Sequence, residues 1–125
     1  GHYNGTTTMK GGTGNDTFVF LDYTIAPNPT AGAASTITDY TFGQDKVDLT
    51  GLLDSIYGQG NATAGDVRLA ADPNNSSNAV VQIDVNTGAG QTWQSVVSLT
   101  GYNHAGNQVD VVLDHMTNQQ HTYTV

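Results

Sequence analysis

A run of ten residues near the amino terminus, from Gly11 to Phe20, constrains this chain more than any other stretch of it. It reads Gly-Gly-Thr-Gly-Asn-Asp-Thr-Phe-Val-Phe. Its three glycines can adopt backbone angles that are closed to residues with a Cβ atom, so nearby carbonyl groups can turn toward one point. Asp16 adds a charged oxygen at the same place. The two phenylalanines, at alternate positions, then predict a strand with one buried face.

The spacing of these residues fits the pattern G-G-x-G-x-D-x-U-x, where U is a large apolar residue, which builds metal-bound turns in parallel β-rolls. Converging carbonyl and carboxylate oxygens suit a hard cation that takes about six to eight oxygen ligands, which indicates calcium. The alternative is an empty glycine-rich turn, because Gly, Asn and Asp are also the commonest turn residues. The carbonyl ligands remain open between two pairs, Gly11 with Thr13 or Gly12 with Gly14. The motif predicts a metal-binding and folding element, and it contains no catalytic group.

Residues 2–10 align with this motif when the sequence is shifted by nine positions. Gly5 then matches Gly14, and Met9 matches the buried apolar position of Phe18, while a threonine replaces the aspartate. We therefore predict a degenerate repeat that packs well but is a poor metal ligand. Because stacked repeats need neighbours to bury a core, the rest of the chain is expected to cap them.

The composition sets limits on the partners of this 125-residue chain, whose length predicts one domain with a real core. All eleven acidic residues are aspartates, and only Lys10, Lys46 and Arg68 oppose them, so the formal net charge is −8. Such a surface repels nucleic acid. No apolar run is long enough for membrane insertion. Without cysteines, the fold must be held by its core, by metal or by partners. Gly1 and His2 are typical of a cloning remnant, so we expect the natural chain to continue upstream.

The remaining sequence predicts an all-β domain. Residues 21–34, which contain two prolines, predict a loop. Short strands are expected at 35–40 and 46–50, followed by a helical segment at 51–57 and a final strand at 121–125. Between these last two, apolar residues alternate with period two, which predicts antiparallel strands with one buried face. The alternating sets are Val67, Leu69 and Ala71; Val81, Ile83 and Val85; Trp93, Val97 and Leu99; and Val109, Val111 and Leu113.

Two segments together resemble the carboxyl-terminal region of RTX proteins, which bacteria export by type I secretion. The first is the repeat at Gly11–Phe20. The second, Thr38–Thr50, reads Thr-Asp-Tyr-Thr-Phe-Gly-Gln-Asp-Lys-Val-Asp-Leu-Thr and is similar to the family's D-F/Y-x-x-G-x-D-K-I/V-D-L-S/T stretch. That family includes the C-terminal domains of serralysin-type proteases, alginate epimerase R-modules and giant adhesins. Residues 81–99 resemble, more loosely, the final strands of adhesin-type secretion target domains.

This resemblance implies a single domain, 1–125, in which one degenerate and one intact repeat (1–20) end a parallel β-roll. An antiparallel, sandwich-like β region (35–125) is expected to cap it. With one intact repeat, one calcium site is expected. The resemblance further implies that Asp39 and Asp45 complete the site that Asp16 opens, although aspartates also cap ordinary turns. The expected calcium ligands are Gly11, Gly12, Thr13, Gly14, Asp16, Asp39 and Asp45.

As an RTX C-terminal domain, the chain would be a non-enzymatic module of a secreted or cell-surface bacterial protein. It would act as the type I secretion target and calcium-triggered folding nucleus of a larger extracellular protein such as an adhesin. Its partners would be the secretion machinery, transiently, and the upstream domains. The alternative is a calcium-dependent carbohydrate-binding module of a secreted polysaccharide-modifying enzyme or protease, with surface glycans as partners. Trp93 is expected in the core rather than exposed for sugar stacking.

Other candidate sites in the sequence are weak. Asp84, Asn86 and Gly88 match a fragment of an EF-hand loop, but its glutamate is missing, so a hairpin turn is expected. The four histidines lack metal-binding spacing. Asp110 and Asp114 would lie about 13 Å apart on one strand. This separation is too wide for a glycosidase pair, so a solvated strand face is predicted.

Overall fold

The structure, a computed structural model, describes residues 2–3, 7–20, 35–86 and 88–125. In chain order its strands are β1 His2–Tyr3, β2 Thr7–Met9, β3 Thr17–Phe20, β4 Ser35–Ile37, β5 Lys46–Asp48, β6 Val67–Ala71, β7 Ala79–Asp84, β8 Trp93–Leu99, β9 Gln108–Asp114 and β10 Gln119–Thr124. Helix α1, Thr50–Tyr57, follows β5, and a 3₁₀ turn at Ala64–Asp66 precedes β6. The loop predicted for 21–34 lies outside the described residues. Within the described ranges, no helix is long and apolar enough to cross a membrane.

Within the described part of the chain, the strands form two five-stranded sheets. Sheet A has the order β1-β3-β5-β9-β10, and sheet B has the order β2-β4-β8-β7-β6. The first five strands alternate between the two sheets, and their pairings β1–β3, β3–β5 and β2–β4 are all parallel. Parallel strands placed alternately in two facing sheets are the arrangement of a β-roll, as the glycine-rich repeat predicts.

The second half of the chain caps the roll with antiparallel strands. β6, β7 and β8 form an antiparallel meander in sheet B, and β9 and β10 form a hairpin in sheet A. β8 also pairs in parallel with β4, and β9 pairs in parallel with β5. The cap therefore continues both sheets of the roll. The all-β prediction is confirmed, and the sheets are mixed and open.

Apolar side chains of both sheets meet in one core. Phe18, Val47 and Val111 lie side by side across β3, β5 and β9, and all three are buried. In sheet B, Ile37 lies beside Leu99 across β4 and β8. These residues belong to a single cluster, to which α1 adds its two leucines, so the two sheets pack face to face.

Two expectations about single side chains are wrong. Asp114 is not on a solvated face: it is 4% exposed, and its Oδ1 accepts a hydrogen bond from the amide of Met116, which caps the turn after β9. Trp93 is half-buried outside the core cluster, with the Arg68 guanidinium carbon 4.4 Å from its ring centre. A β-bulge explains the position of Trp93, because Val81 pairs with Val97 while the next residue of β7 pairs with Ser95. The extra residue in β8 turns the start of that strand toward the other face of the sheet.

Candidate calcium site

Strand pairing brings the glycine-rich turn and the 39–45 segment to the same edge of sheet A. β3 and β5 are parallel, with Thr17 beside Lys46, so the residues that precede each strand are neighbours. The amide of Lys46 donates to the carbonyl of Asp16 at 2.9 Å. Asp16 and Asp45 are thus adjacent although 29 positions separate them in sequence.

The carboxylate of Asp39 is bound by the first two amides of the glycine-rich turn. The Gly11 amide donates to Oδ1 at 2.9 Å, and the Gly12 amide donates to Oδ2 at 2.8 Å. Two successive amides can point at one anion because Gly12 has φ of +79°, which glycine adopts without strain. The hydrogen bond from Gly12, then that from Gly11, lowers the pKa of Asp39. Asp39 therefore stays ionised at neutral pH and ties its loop to the turn.

Asp45 performs a similar role closer to the core. It is 2% exposed, and its Oδ2 accepts from the amide of Thr41 at 2.9 Å while Oδ1 accepts from the amide of Asp16 at 3.2 Å. Its own amide donates to the carbonyl of Thr41 at 2.8 Å, in a turn where Gly43 has φ of +89°. One buried carboxylate thus fixes both the 41–45 turn and the entry to β3.

Asp16 differs from the other two aspartates because one of its oxygens lacks a partner. Among the described residues, its Oδ2 is the sole buried side-chain nitrogen or oxygen without a hydrogen bond. It lies against Gly11 so closely that a Cβ there would be 2.5 Å from this oxygen. Gly11 is therefore required by contact, whereas Gly12 is required by its backbone angle. Burying a carboxylate oxygen without a partner is costly, so this atom marks a place for a cation or another donor.

The oxygen ligands available at this site are of the chemical type that calcium binds. Three carboxylates and the nearby backbone carbonyls are hard oxygen ligands of the kind that calcium binds. Each carboxylate oxygen of Asp39 and Asp45 that accepts one amide has about one further lone pair. In their present positions, however, no three acidic or histidine side chains of the described residues converge closely enough to hold a metal ion together. Thr13 and Gly14 lie in the same turn and are exposed.

Two other aspartates, Asp84 and Asp48, act as backbone caps. Oδ1 of Asp84 accepts from the amides of Asn86 and Thr92, so this segment is a hairpin turn as predicted. Oδ1 of Asp48 accepts from the amide of Thr50 at 2.9 Å and starts α1. These carboxylates are engaged in local turns away from the glycine-rich turn.

Sequence reasoning missed one residue of the site, Tyr40. Its buried hydroxyl donates to the carbonyl of Asp45 and accepts from the amide of Asp110, both at 2.9 Å. Burial raises the pKa of this hydroxyl, so it remains protonated and can donate. The ring of Tyr102 packs edge-on against it, with ring centres 5.3 Å apart. The sequence feature that could have identified Tyr40 is its position between Asp39 and Asp45, at the F/Y position of the second motif.

Together, the fold and the aspartate-lined turn define the chain as the end of a parallel β-roll with an antiparallel cap. The family model described as Peptidase M10 serralysin C terminal matches residues 4–113, and the chain belongs to this family. No curated protein matches the chain. The family is the C-terminal, non-catalytic domain of these peptidases and occurs in secreted bacterial proteins. The RTX resemblance is thus confirmed in its serralysin form, while the adhesin-type assignment stays a prediction.

Proposed function

We propose that this chain is a calcium-binding RTX C-terminal domain that serves as type I secretion target and calcium-triggered folding nucleus of a larger secreted protein. The observation that carries the proposal is the buried, unpartnered Oδ2 of Asp16, which lies beside the glycine-rich turn. Family membership supports it, because serralysin C-terminal domains bind calcium generally. An adhesin is one candidate for the parent protein.

Calcium would be held by oxygen atoms from two segments. These are Oδ2 of Asp16, the carboxylate oxygens of Asp39 and Asp45, each through a remaining lone pair, and backbone carbonyls of residues 11–14. Asp39 and Asp45 position this set, since their bonds to the amides of Gly11, Gly12 and Asp16 join the two segments. Calcium would add positive charge at this acidic edge. Among the described residues, Lys10 contributes to lowering the pKa of Asp39.

Repulsion between the carboxylates explains how calcium binding could determine when the domain folds. With a net charge of −8 and no bound cation, repulsion between carboxylates opposes the compact state. A ligand that binds the folded chain but not the unfolded chain adds about 2.7 kcal/mol of stability at one hundred times its Kd. The chain would stay loosely folded in the calcium-poor cytoplasm, which suits passage through the secretion machinery. It would fold outside, where calcium is abundant.

Calorimetric calcium titration of the whole chain tests this function. We expect the wild type to bind calcium and to melt at a higher temperature when calcium is present. Asp16→Asn keeps the shape of the side chain and removes its charge, so it should abolish most of both effects. Asp54→Asn, on helix α1, removes the same charge away from the site and should leave both effects unchanged. A wild type that shows neither heat nor stabilisation contradicts the proposal, as does Asp16→Asn behaving like the wild type.

One observation favours a second function, a calcium-dependent carbohydrate-binding module. Trp93 is half-buried outside the core, where a ring face could meet a sugar. Arg68 already stacks against one face of the ring, so a sugar would have to use the other face or displace the arginine. Glycan-array binding by the isolated chain, lost in Trp93→Ala, would support this second function, and an empty array would reject it.

A further inference from the structure

The hydroxyl of Tyr40 joins two parts of the chain that are far apart in sequence. It bonds the carbonyl of Asp45, in the candidate calcium loop, and the amide of Asp110, which lies 70 positions away in strand β9. The Asp110 amide faces the side of β9 on which β5 pairs. Val47 of β5 lies beside Val111 and β5 begins one residue earlier, at Lys46, so the strand does not extend back to the residue whose carbonyl would accept from this amide. Tyr40 therefore supplies the acceptor that a longer β5 would have supplied through its backbone.

This bond also fixes the backbone of a candidate calcium ligand. Asp45 holds the amide of Asp16 with its carboxylate, while its carbonyl accepts from Tyr40. A shift of Asp45 would therefore displace the backbone just before β3 and would disturb the contact with β9 at the same time. The Tyr40 ring is itself held by Tyr102, whose hydroxyl donates to the carbonyl of Gln108 at the start of β9.

We propose that Tyr40 is a positioning residue through which calcium at the glycine-rich turn stabilises the β9–β10 hairpin. The inference rests on the proposed calcium function and adds the route by which the ion acts on the cap. Coupling between two sites is reciprocal, so a bond that transmits calcium binding to β9 must also strengthen calcium binding. Loss of the Tyr40 hydroxyl should thus weaken calcium affinity by roughly three- to tenfold, as expected for one buried hydrogen bond.

The test compares Tyr40→Phe with Tyr102→Phe by calcium titration and by amide hydrogen exchange with and without calcium. Both variants keep the ring pair and lose one hydroxyl, but only the Tyr40 hydroxyl touches the calcium loop. We expect Tyr40→Phe to weaken the calcium Kd and to remove the calcium-dependent protection of the β9–β10 amides. Tyr102→Phe should lower the melting temperature but keep the wild-type Kd. A purely structural role of Tyr40 would lower the melting temperature equally with and without calcium.

Exchange of the Asp110 amide in the wild type gives a measurement that needs no variant. This amide should exchange more slowly once calcium is added, because its acceptor becomes fixed. An unchanged rate, a wild-type Kd in Tyr40→Phe, or an equal loss in Tyr102→Phe overturns the inference while the calcium function stands. If the wild type binds no calcium, the proposed function fails and this inference fails with it.

Discussion

Gly11→Ala changes the candidate calcium site by one methyl group, whose effect follows from the contacts of Asp16. The added Cβ would lie 2.5 Å from Oδ2 and 2.9 Å from Cγ of Asp16, whereas ordinary contacts begin near 3.4 Å. Gly11 does not have a left-handed backbone angle, so alanine causes no backbone strain there. The carboxylate of Asp16 must therefore move by roughly 1 Å or rotate out of its buried position, where it can no longer serve the site.

The expected effect of Gly11→Ala on the free energy of unfolding differs between calcium-free and calcium-containing solution. Without calcium, releasing the buried oxygen into water recovers part of a desolvation cost of about 1–3 kcal/mol. Replacing glycine with alanine adds about 0.4–1 kcal/mol through the unfolded state. These gains offset the steric disturbance, so the variant should be about as stable as the wild type or slightly more stable. With calcium, it should lack the stabilisation that the ion gives the wild type.

Gly101→Ala is the matched control for this prediction, because Gly101 lies in the turn after β8, outside the candidate calcium site. A Cβ at Gly101 would meet no atom within 4 Å, but its φ of +65° costs an alanine roughly 1–2 kcal/mol. Gly101→Ala should therefore lower the melting temperature by a similar amount with and without calcium. Thermal unfolding followed by circular dichroism, in calcium and in chelator, separates the two signatures. A full calcium-dependent rise in Gly11→Ala, or strong destabilisation of this variant in chelator, would contradict the prediction.

Two further predictions concern pH and the core. Because the folded-state pKa of Asp39 lies below its ordinary value of 3.8, its contribution is complete above that pH and is lost as the pH falls through the folded-state pKa. Asp39→Asn should thus lower the melting temperature at neutral pH, and the gap to wild type should close in acid; a gap of constant size from pH 7 to about pH 2 would contradict this reasoning. Leu53→Ala removes a fully buried side chain of α1 and should cost about 2–5 kcal/mol in denaturant unfolding, equally with and without calcium. A cost below about 1 kcal/mol would show that α1 packs less closely than the structure indicates.

The sequence was sufficient to predict the local elements, whereas the grouping of the site residues was implied by the family resemblance. The alternation of Phe18 and Phe20 predicted β3, and the resemblance to RTX proteins implied that Asp39 and Asp45 approach the glycine-rich turn. The partners of these carboxylates could not be predicted, because an aspartate near a turn can bind either an amide or a cation. Oδ2 of Asp16 has no hydrogen-bond partner because of where this side chain lies beside Gly11. The spacing of residues in the sequence does not determine that position.

How the strands of the cap pair with those of the roll also could not be predicted from the sequence. Alternation of apolar residues is the same in parallel and antiparallel strands, so the parallel pairing of β8 with β4 and of β9 with β5 left no local signal. Trp93 was misplaced because period-two counting assumes an unbroken strand, and the bulge between Trp93 and Val97 breaks it. Tyr40 was overlooked because its partner Asp110 is distant in sequence.

In our proposal, Asp16 and the residues around it hold calcium. An anomalous-scattering map from crystals grown with calcium is the sharpest test of this proposal, since it locates the ion without assuming its ligands. We predict a peak about 2.3–2.6 Å from a carboxylate oxygen of Asp16, with oxygens of the glycine-rich turn and of the 39–45 segment completing the shell. A map in which calcium is saturating but no peak lies beside Asp16 would contradict the account.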